Sequence, residues 1–153
     1  MTAQQIKSTF GDTPEAVIAN MKAANKTLNQ IVAALSTAFS LNPMDIARYL
    51  KAAGFDAQQV IDALKTVLHI SADYAAHILK DVYDMAAELV AQVLKAADFT
   101  VKEVAQALHS VFGLAKKALK AVLEGAGYLV SEITSAISGL FGAIGKIIGD
   151  IFS

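Results

Sequence analysis

The chain has no cysteine and no tryptophan, and its 153 residues include only two prolines, Pro14 and Pro43. Without cysteine, disulfide bonds, thiolate chemistry and cysteine-ligated zinc are excluded. Few prolines and abundant alanine favour an all-α fold. Charge is also scarce, because Asp, Glu, Lys and Arg make up 18% of the residues, against about 25% in a typical soluble protein. Since 55% of the residues are hydrophobic, we expect apolar surface to be covered by a core, a partner or lipid.

The near balance of charges limits the kinds of partner. A formal net charge of −1 gives no reason to expect nucleic-acid binding or electrostatic attraction to anionic lipid. The N-terminal sequence MTAQQIKSTFGDT lacks the apolar segment of a secretory signal peptide. We therefore expect a soluble cytoplasmic protein, or one exported by a route that uses no signal peptide.

The length predicts one domain with an apolar core. We expect a flexible N-terminus over residues 1–12 and a single all-α domain over residues 13–153. We expect six to eight helices, in a compact bundle or a short wrap around an apolar C-terminal helix. Thr13 before Pro14, and Asp56 with Gln59, are typical of helix starts.

A short internal repeat underlies this prediction. Residues 50–80 resemble residues 94–124, and nine of the first 19 aligned positions are identical. Leucines recur at a nearly constant spacing, and they are Leu35, Leu50, Leu64, Leu79, Leu94, Leu108 and Leu123. Each interval is long enough for one short amphipathic helix and a turn.

Two stretches leave the helix boundaries open. Apolar residues from Ile18 to Phe39 follow at steps of three and four, which predicts one long helix interrupted only by the polar Asn25. Between Ser71 and Ala97 there is no strong helix breaker. That stretch predicts either one helix or two helices with a joint near Tyr83 and Asp84.

The C-terminal residues 129–152 are apolar and carry charge only at Glu132, Lys146 and Asp150. One side of the predicted helix is bulky, and we expect it to contact a membrane or a partner through Ile133, Ile137, Leu140, Phe141, Ile144, Ile148, Ile151 and Phe152. A second stripe is small and would allow another backbone to approach closely at Ser135, Ser138, Gly142, Gly145 and Gly149.

Catalytic or metal chemistry has little support in the sequence. His69, Asp73 and His77 are spaced four residues apart, as ligands on one helix face could be. However, Ser71 reads as a helix N-cap and would place His69 in the preceding turn. No nucleophile and base are paired in a recognisable motif. We therefore expect no enzyme activity, no cofactor and no bound metal.

Gly139 to Ile144 read GLFGAI, and this segment resembles the start of the influenza haemagglutinin fusion peptide. The resemblance implies an apolar helix with an affinity for membranes. More broadly, amphipathic helices packed with one apolar helix resemble the α-helical pore-forming toxins, such as the colicin pore domains. That resemblance implies a soluble fold that releases a helix into a bilayer.

Three functions fit these features. The first is a membrane-active protein of toxin or bacteriocin type, whose C-terminal helix inserts into or packs on a bilayer. The second is a self-assembling structural or interaction protein, which uses the small stripe as a contact between subunits or with partner helices. The third is a carrier of an apolar, lipid-like ligand.

Overall fold

The computed structural model describes the backbone of residues 1–152 and the side chains of residues 1–141. Within this part of the chain there are helices and no strands, which confirms the all-α prediction. The same residues form ten helices rather than six to eight: α1 (Ala3–Phe10), α2 (Pro14–Ala23), α3 (Leu28–Phe39), α4 (Pro43–Ala52), α5 (Ala57–Leu68), α6 (Ala72–Asp81), α7 (Ala87–Ala96), α8 (Val101–Phe112), α9 (Lys116–Gly125) and α10 (Val130–Phe152).

Polar side chains start many of these helices by binding the free backbone N–H groups of the first turn. Thr13 accepts a hydrogen bond from the N–H of Ala16, and Pro14 occupies the first turn. Asp56 and Gln59 form the reciprocal capping box that the sequence predicts. The same arrangement starts α1 and α3.

The shorter helices α2, α4, α7 and α9 end in one common turn. In each, the residue after the C-cap has a positive φ, and these residues are Asn25, Gly54, Asp98 and Gly127. The next N–H then donates back to the third-last residue of the helix, as from Phe55 to the carbonyl of Leu50 at 3.1 Å. This pairing satisfies carbonyl groups that would otherwise lack a partner.

Helix packing divides the chain into two compact units, Met1–Ser71 and Ala72–Ser153. The first unit contains α1 to α5 and the second contains α6 to α10. In each unit every helix packs on the next helix and on the next but one. Leucine, isoleucine, valine and alanine fill both cores, and no polar or charged side chain among the described residues is buried.

The second unit repeats the first. The starts of α7, α8, α9 and α10 follow those of α2, α3, α4 and α5 at one constant offset, as Ala87 follows Pro14. When residues 14–68 are aligned with residues 87–141 at this offset, 14 of 55 positions are identical. The match includes Lys22 with Lys95 and Phe39 with Phe112. The structure therefore contains a repeat of four helices that is larger than the pattern of single short helices.

The prediction of one helix from Ile18 to Phe39 is wrong. Asn25 has a φ of 59°, a conformation that asparagine tolerates better than most residues. It ends α2, and Thr27 then starts α3 by accepting a hydrogen bond from the N–H of Gln30. Asn25 is exposed, so it is a turn residue rather than a polar residue inside a long helix.

Two other stretches were open or expected to be irregular. Between Ser71 and Ala97 there are two helices, with Asp84 at a φ of 52° in the joint, as in the second of our two alternatives. The segment 1–12, expected to be flexible, contains α1, which packs on α2 and α3 through the buried Ile6. Helix α10 comes last in the series and packs on α8 and α9.

Repeated contacts, which we call lysine clamps, join helices two places apart. In each clamp the ammonium group of a lysine lies over the aromatic ring at or just after the end of the second helix following it. The first unit has Lys7 over Phe39 and Lys22 over Phe55, with Nζ to ring-centroid distances of 5.1 and 4.9 Å. At the equivalent positions, the second unit has Lys80 over Phe112 and Lys95 over Tyr128, both at 5.5 Å.

Three of these lysines also donate a hydrogen bond to a backbone carbonyl. That carbonyl lies near the end of the helix that carries or precedes the aromatic ring. Nζ of Lys22 lies 3.1 Å from the Ala53 oxygen, and Nζ of Lys80 lies 3.3 Å from the Val111 oxygen. Nζ of Lys95 lies 3.4 Å from the Gly127 oxygen. A cation here is favoured by the negative end of the helix dipole and by the ring face.

The clamps should contribute measurably to stability. We expect Lys95→Met, which keeps an apolar side chain but removes the ammonium group, to lower the free energy of unfolding by about 1 kcal/mol. The matched control is Lys117→Met, because no described group bonds to this exposed lysine; it should change the value by less than about 0.5 kcal/mol. Urea unfolding followed by circular dichroism measures both. Equal effects of the two substitutions would contradict the role of the clamp.

Candidate functional site at the C-terminal helix

The first twelve residues of α10 are anchored in the second unit. Ile133 is 0% exposed and Ile137 is 3% exposed, and Ala136 is also buried. These residues recur at steps of three and four, so one face of the helix packs on α8 and α9. Releasing this part of α10 would expose the core of the unit.

A histidine contact holds the end of this anchored part. His109 of α8 has Nδ1 2.8 Å from the carbonyl oxygen of Leu114. Its ring meets the ring of Phe141 edge to face, with 4.8 Å between centroids and 71° between planes. His109 precedes Phe141 by the same number of positions as Lys7 precedes Phe39. A histidine thus replaces the lysine of a clamp at this position.

Beyond Phe141, α10 differs from the helices that correspond to it. Helix α5 stops at Leu68 and α8 stops at Phe112, and each is followed by a residue with positive φ, His69 at 55° and Gly113 at 65°. Gly142 holds the equivalent position, yet α10 continues to Phe152. Eleven residues, 142–152, therefore extend the helix by about 16 Å, and we call them the C-terminal extension.

The structure places the predicted contact residues in three environments. Ile133 and Ile137 are buried in their own chain, and Leu140 and Phe141 are half-buried. Of the small stripe, Ser135 and Ser138 are exposed. The remaining predicted residues lie outside the described side chains, and they are Gly142, Ile144, Gly145, Ile148, Gly149, Ile151 and Phe152. The predicted membrane and partner contacts stay predictions.

Apolar and small groups are exposed at the start of α10 and along its outer face. Leu129 is 65% exposed and Val130 is 58% exposed. A methyl group added at Gly139 would meet nothing within 4 Å. A shallow groove of about 420 Å³ lies between α8 and α10 and is lined by Val101, Lys102, Ser131, Glu132, Ser135 and Ala136. Another helix could therefore approach this face closely.

Tyr128, just before α10, combines two of the contacts described above. Its ring lies under Lys95, and its hydroxyl donates to the carbonyl of Phe99 at 3.2 Å. Burial, assisted by the nearby carboxylates of Glu132 and Glu103, raises the pKa of Tyr128 to about 12. The neutral phenol is favoured because ionisation would remove the donated proton and place a charge in a partly buried site.

No metal site is evident in the described part of the chain. No group of three or more His, Asp or Glu side chains there could hold a metal ion. His69 ends α5 in the turn before Ser71, as the sequence predicted. No buried polar side-chain atom in the same part of the chain lacks a hydrogen-bond partner.

Comparisons of the chain with protein-family models, curated proteins and solved structures found no match. The resemblance to pore-forming toxins therefore has no support from a related protein. Any function must be inferred from the geometry of the chain itself.

Sequence reasoning missed the clamp lysines, although a signal for them exists. Each follows directly after a regularly spaced core residue, as in Met21-Lys22, Leu79-Lys80 and Leu94-Lys95. The aromatic partner then follows at a nearly constant separation along the chain. A search for that pairing would have found both the clamps and the repeat.

The alkaline titration of Tyr128 tests its environment. The pKa of Tyr128 is about 12 in the folded protein and about 10 in the unfolded chain. The contribution of the neutral phenol to the free energy of unfolding is therefore fully present below about pH 10. It should be lost as the pH rises towards 12. Tyrosinate absorbance of the native protein should include a late step that Tyr128→Phe removes. If the late step persists in Tyr128→Phe, the assignment to Tyr128 is wrong.

Proposed function

We propose that this protein is membrane-active: the helical units remain folded while the C-terminal extension lies in the surface of a bilayer. The single observation that carries the proposal is the continuation of α10 past Gly142, where α5 and α8 both stop. Packing within a five-helix unit does not need this extra length. The extension is apolar in sequence, GAIGKIIGDIF, as expected of a segment that meets lipid.

The spacing of residues within the extension supports contact along one side. Ile144, Ile147, Ile148 and Ile151 follow at steps of three and four, which is the spacing of one apolar helix face. Lys146 and Asp150, four residues apart, fall on a different face. Such a segment suits the boundary between headgroups and acyl chains, where one side is wet and the other apolar.

Length favours an in-plane position. Eleven helical residues extend about 16 Å, which is roughly half of the about 30 Å thickness of the hydrocarbon core. Among the described residues, no helix combines the length and the apolar character needed to cross a membrane. The buried Ile133 and Ile137 would then keep the extension attached to the second unit while it contacts lipid.

Electrostatic attraction should contribute little to the proposed binding of the extension to a bilayer. The single lysine and single aspartate of the extension cancel, and the whole chain has a formal net charge of −1. Binding should therefore depend on buried apolar area rather than on anionic lipid. A toxin-like or bacteriocin-like action would further require that bound protein makes the bilayer leak.

Vesicle sedimentation tests the proposal with the full chain. We expect the protein to bind phosphatidylcholine vesicles about equally well with and without added phosphatidylserine. Ile148→Asp should reduce the partition coefficient by at least about tenfold, because it places a charge on the apolar face. The control Lys146→Asp adds an acidic residue on the other face and should have a smaller effect. Absence of binding by the unmodified protein, or equal loss in both variants, would refute the proposal.

Release of a dye entrapped in the vesicles measures whether bound protein also makes the bilayer leak.

Self-association is a second candidate, favoured by the exposed small residues Ser135, Ser138 and Gly139 beside the groove between α8 and α10. The stripe continues in sequence through Gly142, Gly145 and Gly149, so another α10 could approach closely. Light scattering should then detect an oligomer that Gly145→Val with Gly149→Val dissociates. Because these substitutions add apolar area, vesicle binding should remain. A monomer at all concentrations would exclude this candidate.

A further inference from the structure

The first unit contains a pocket that is lined mainly by apolar side chains. It has a volume of about 330 Å³, near the lower end of the about 300–1,000 Å³ typical of ligand pockets. Its lining comes from α1, α2, α3 and the chain next to them: Met1, Ile6, Phe10, Met21, Lys26, Gln30, Ala33, Ala34 and Thr37. Apolar side chains predominate, and Lys26 is the only one of these residues with a charged side chain.

Lys26 departs from the repeat in a way that affects the pocket. It is the second residue after the C-cap of α2, where the corresponding helices α4, α7 and α9 have the aromatic residues Phe55, Phe99 and Tyr128. The direct counterpart of Lys26 in the second unit, Phe99, is buried. Lys26 is exposed, and its ammonium group has no hydrogen bond or ion pair among the described side chains.

The wall provided by α3 also differs from its counterparts. Ala33 lines the pocket and is exposed. The corresponding residues are Asp62 in α5, Gln106 in α8 and Ser135 in α10, so α3 alone has an apolar side chain at this position. An apolar residue on an exposed helix position and a cation in place of an aromatic ring thus occur at the same pocket.

We propose that this pocket binds an amphipathic anion: a medium-length alkyl chain that carries one carboxylate. The alkyl chain would lie against Ile6, Phe10 and Met21, where its own apolar surface leaves water. The carboxylate would accept a charge-assisted hydrogen bond from Nζ of Lys26 at the edge of the pocket. This site goes beyond the proposed membrane contact, because the residues that line it all lie between Met1 and Thr37.

Calorimetric titration with monomeric decanoate, below its micelle concentration, tests the site. We expect saturable 1:1 binding that Lys26→Gln weakens about fivefold, as for loss of one partly exposed charge contact. Neutral decanol should bind equally to the unmodified protein and to Lys26→Gln. The matched control Lys117→Gln removes an exposed lysine elsewhere and should leave decanoate binding unchanged.

Two further substitutions should block the pocket. Ala33→Asp introduces the charge that α5 carries at the same position, and Lys26→Phe introduces the aromatic residue of the second unit. Circular dichroism should confirm that both variants fold, and decanoate binding should be lost in each. Undiminished binding in both folded variants, or no saturable binding by the unmodified protein, would overturn the inference.

The same measurements separate this site from the membrane contact. Ile148→Asp should lose vesicle association and retain decanoate binding. Decanoate binding without vesicle association would refute the proposed function alone, and vesicle association without decanoate binding would refute the pocket alone. If fatty acid is taken up from vesicles that contain it but the monomer does not bind, the pocket is not a site for the free anion.

Discussion

The structure depends on contacts between short helices that could not persist alone. Apart from α10, none of the helices is longer than α3, α5 and α8, which have 12 residues each, and isolated helices of this length are marginal in water. Each gains stability by packing on the next helix and on the next but one within its unit. The lysine clamps, such as Lys22 on Phe55 and Lys95 on Tyr128, act at the helix ends, where unsatisfied carbonyls concentrate. Apolar burial and polar end contacts thus reinforce the same pairs of helices.

The all-α class, the capping at Asp56 and the joint near Asp84 could be predicted, because each has a local signal in composition or turn chemistry. The break at Asn25 was missed for a geometric reason. From α2 onward, the spacing between successive helix starts is close to four helical turns, which take about 14.4 residues. The apolar pattern of α2 therefore continues almost in phase into α3, so the periodicity from Ile18 to Phe39 conceals the turn.

The clamps and the pocket could not be read from local pattern, because their residues meet only through tertiary packing. Lys95 and Tyr128 are distant in the sequence, and their contact requires α7 to pack on α9. The role of Lys26 becomes visible only when the two units are compared and Phe99 is found at its position. For α10, sequence predicted an apolar helix, but only the structure separates an anchored part, with Ile133 buried, from an extension that outruns its counterparts.

Backbone strain in the turns between helices bears on the thermal stability of this chain. Within the described part of the chain, the non-glycine residues with positive φ are Asn25, Ser40, His69, Asp84 and Asp98. For a side-chain-bearing residue this conformation is strained by up to about 1–2 kcal/mol, less for asparagine and aspartate. Among these residues, Ser40 tolerates the left-handed conformation least, because Asn, Asp and His are all enriched there. Substitutions in these turns can therefore change the melting temperature without changing either core or the C-terminal helix.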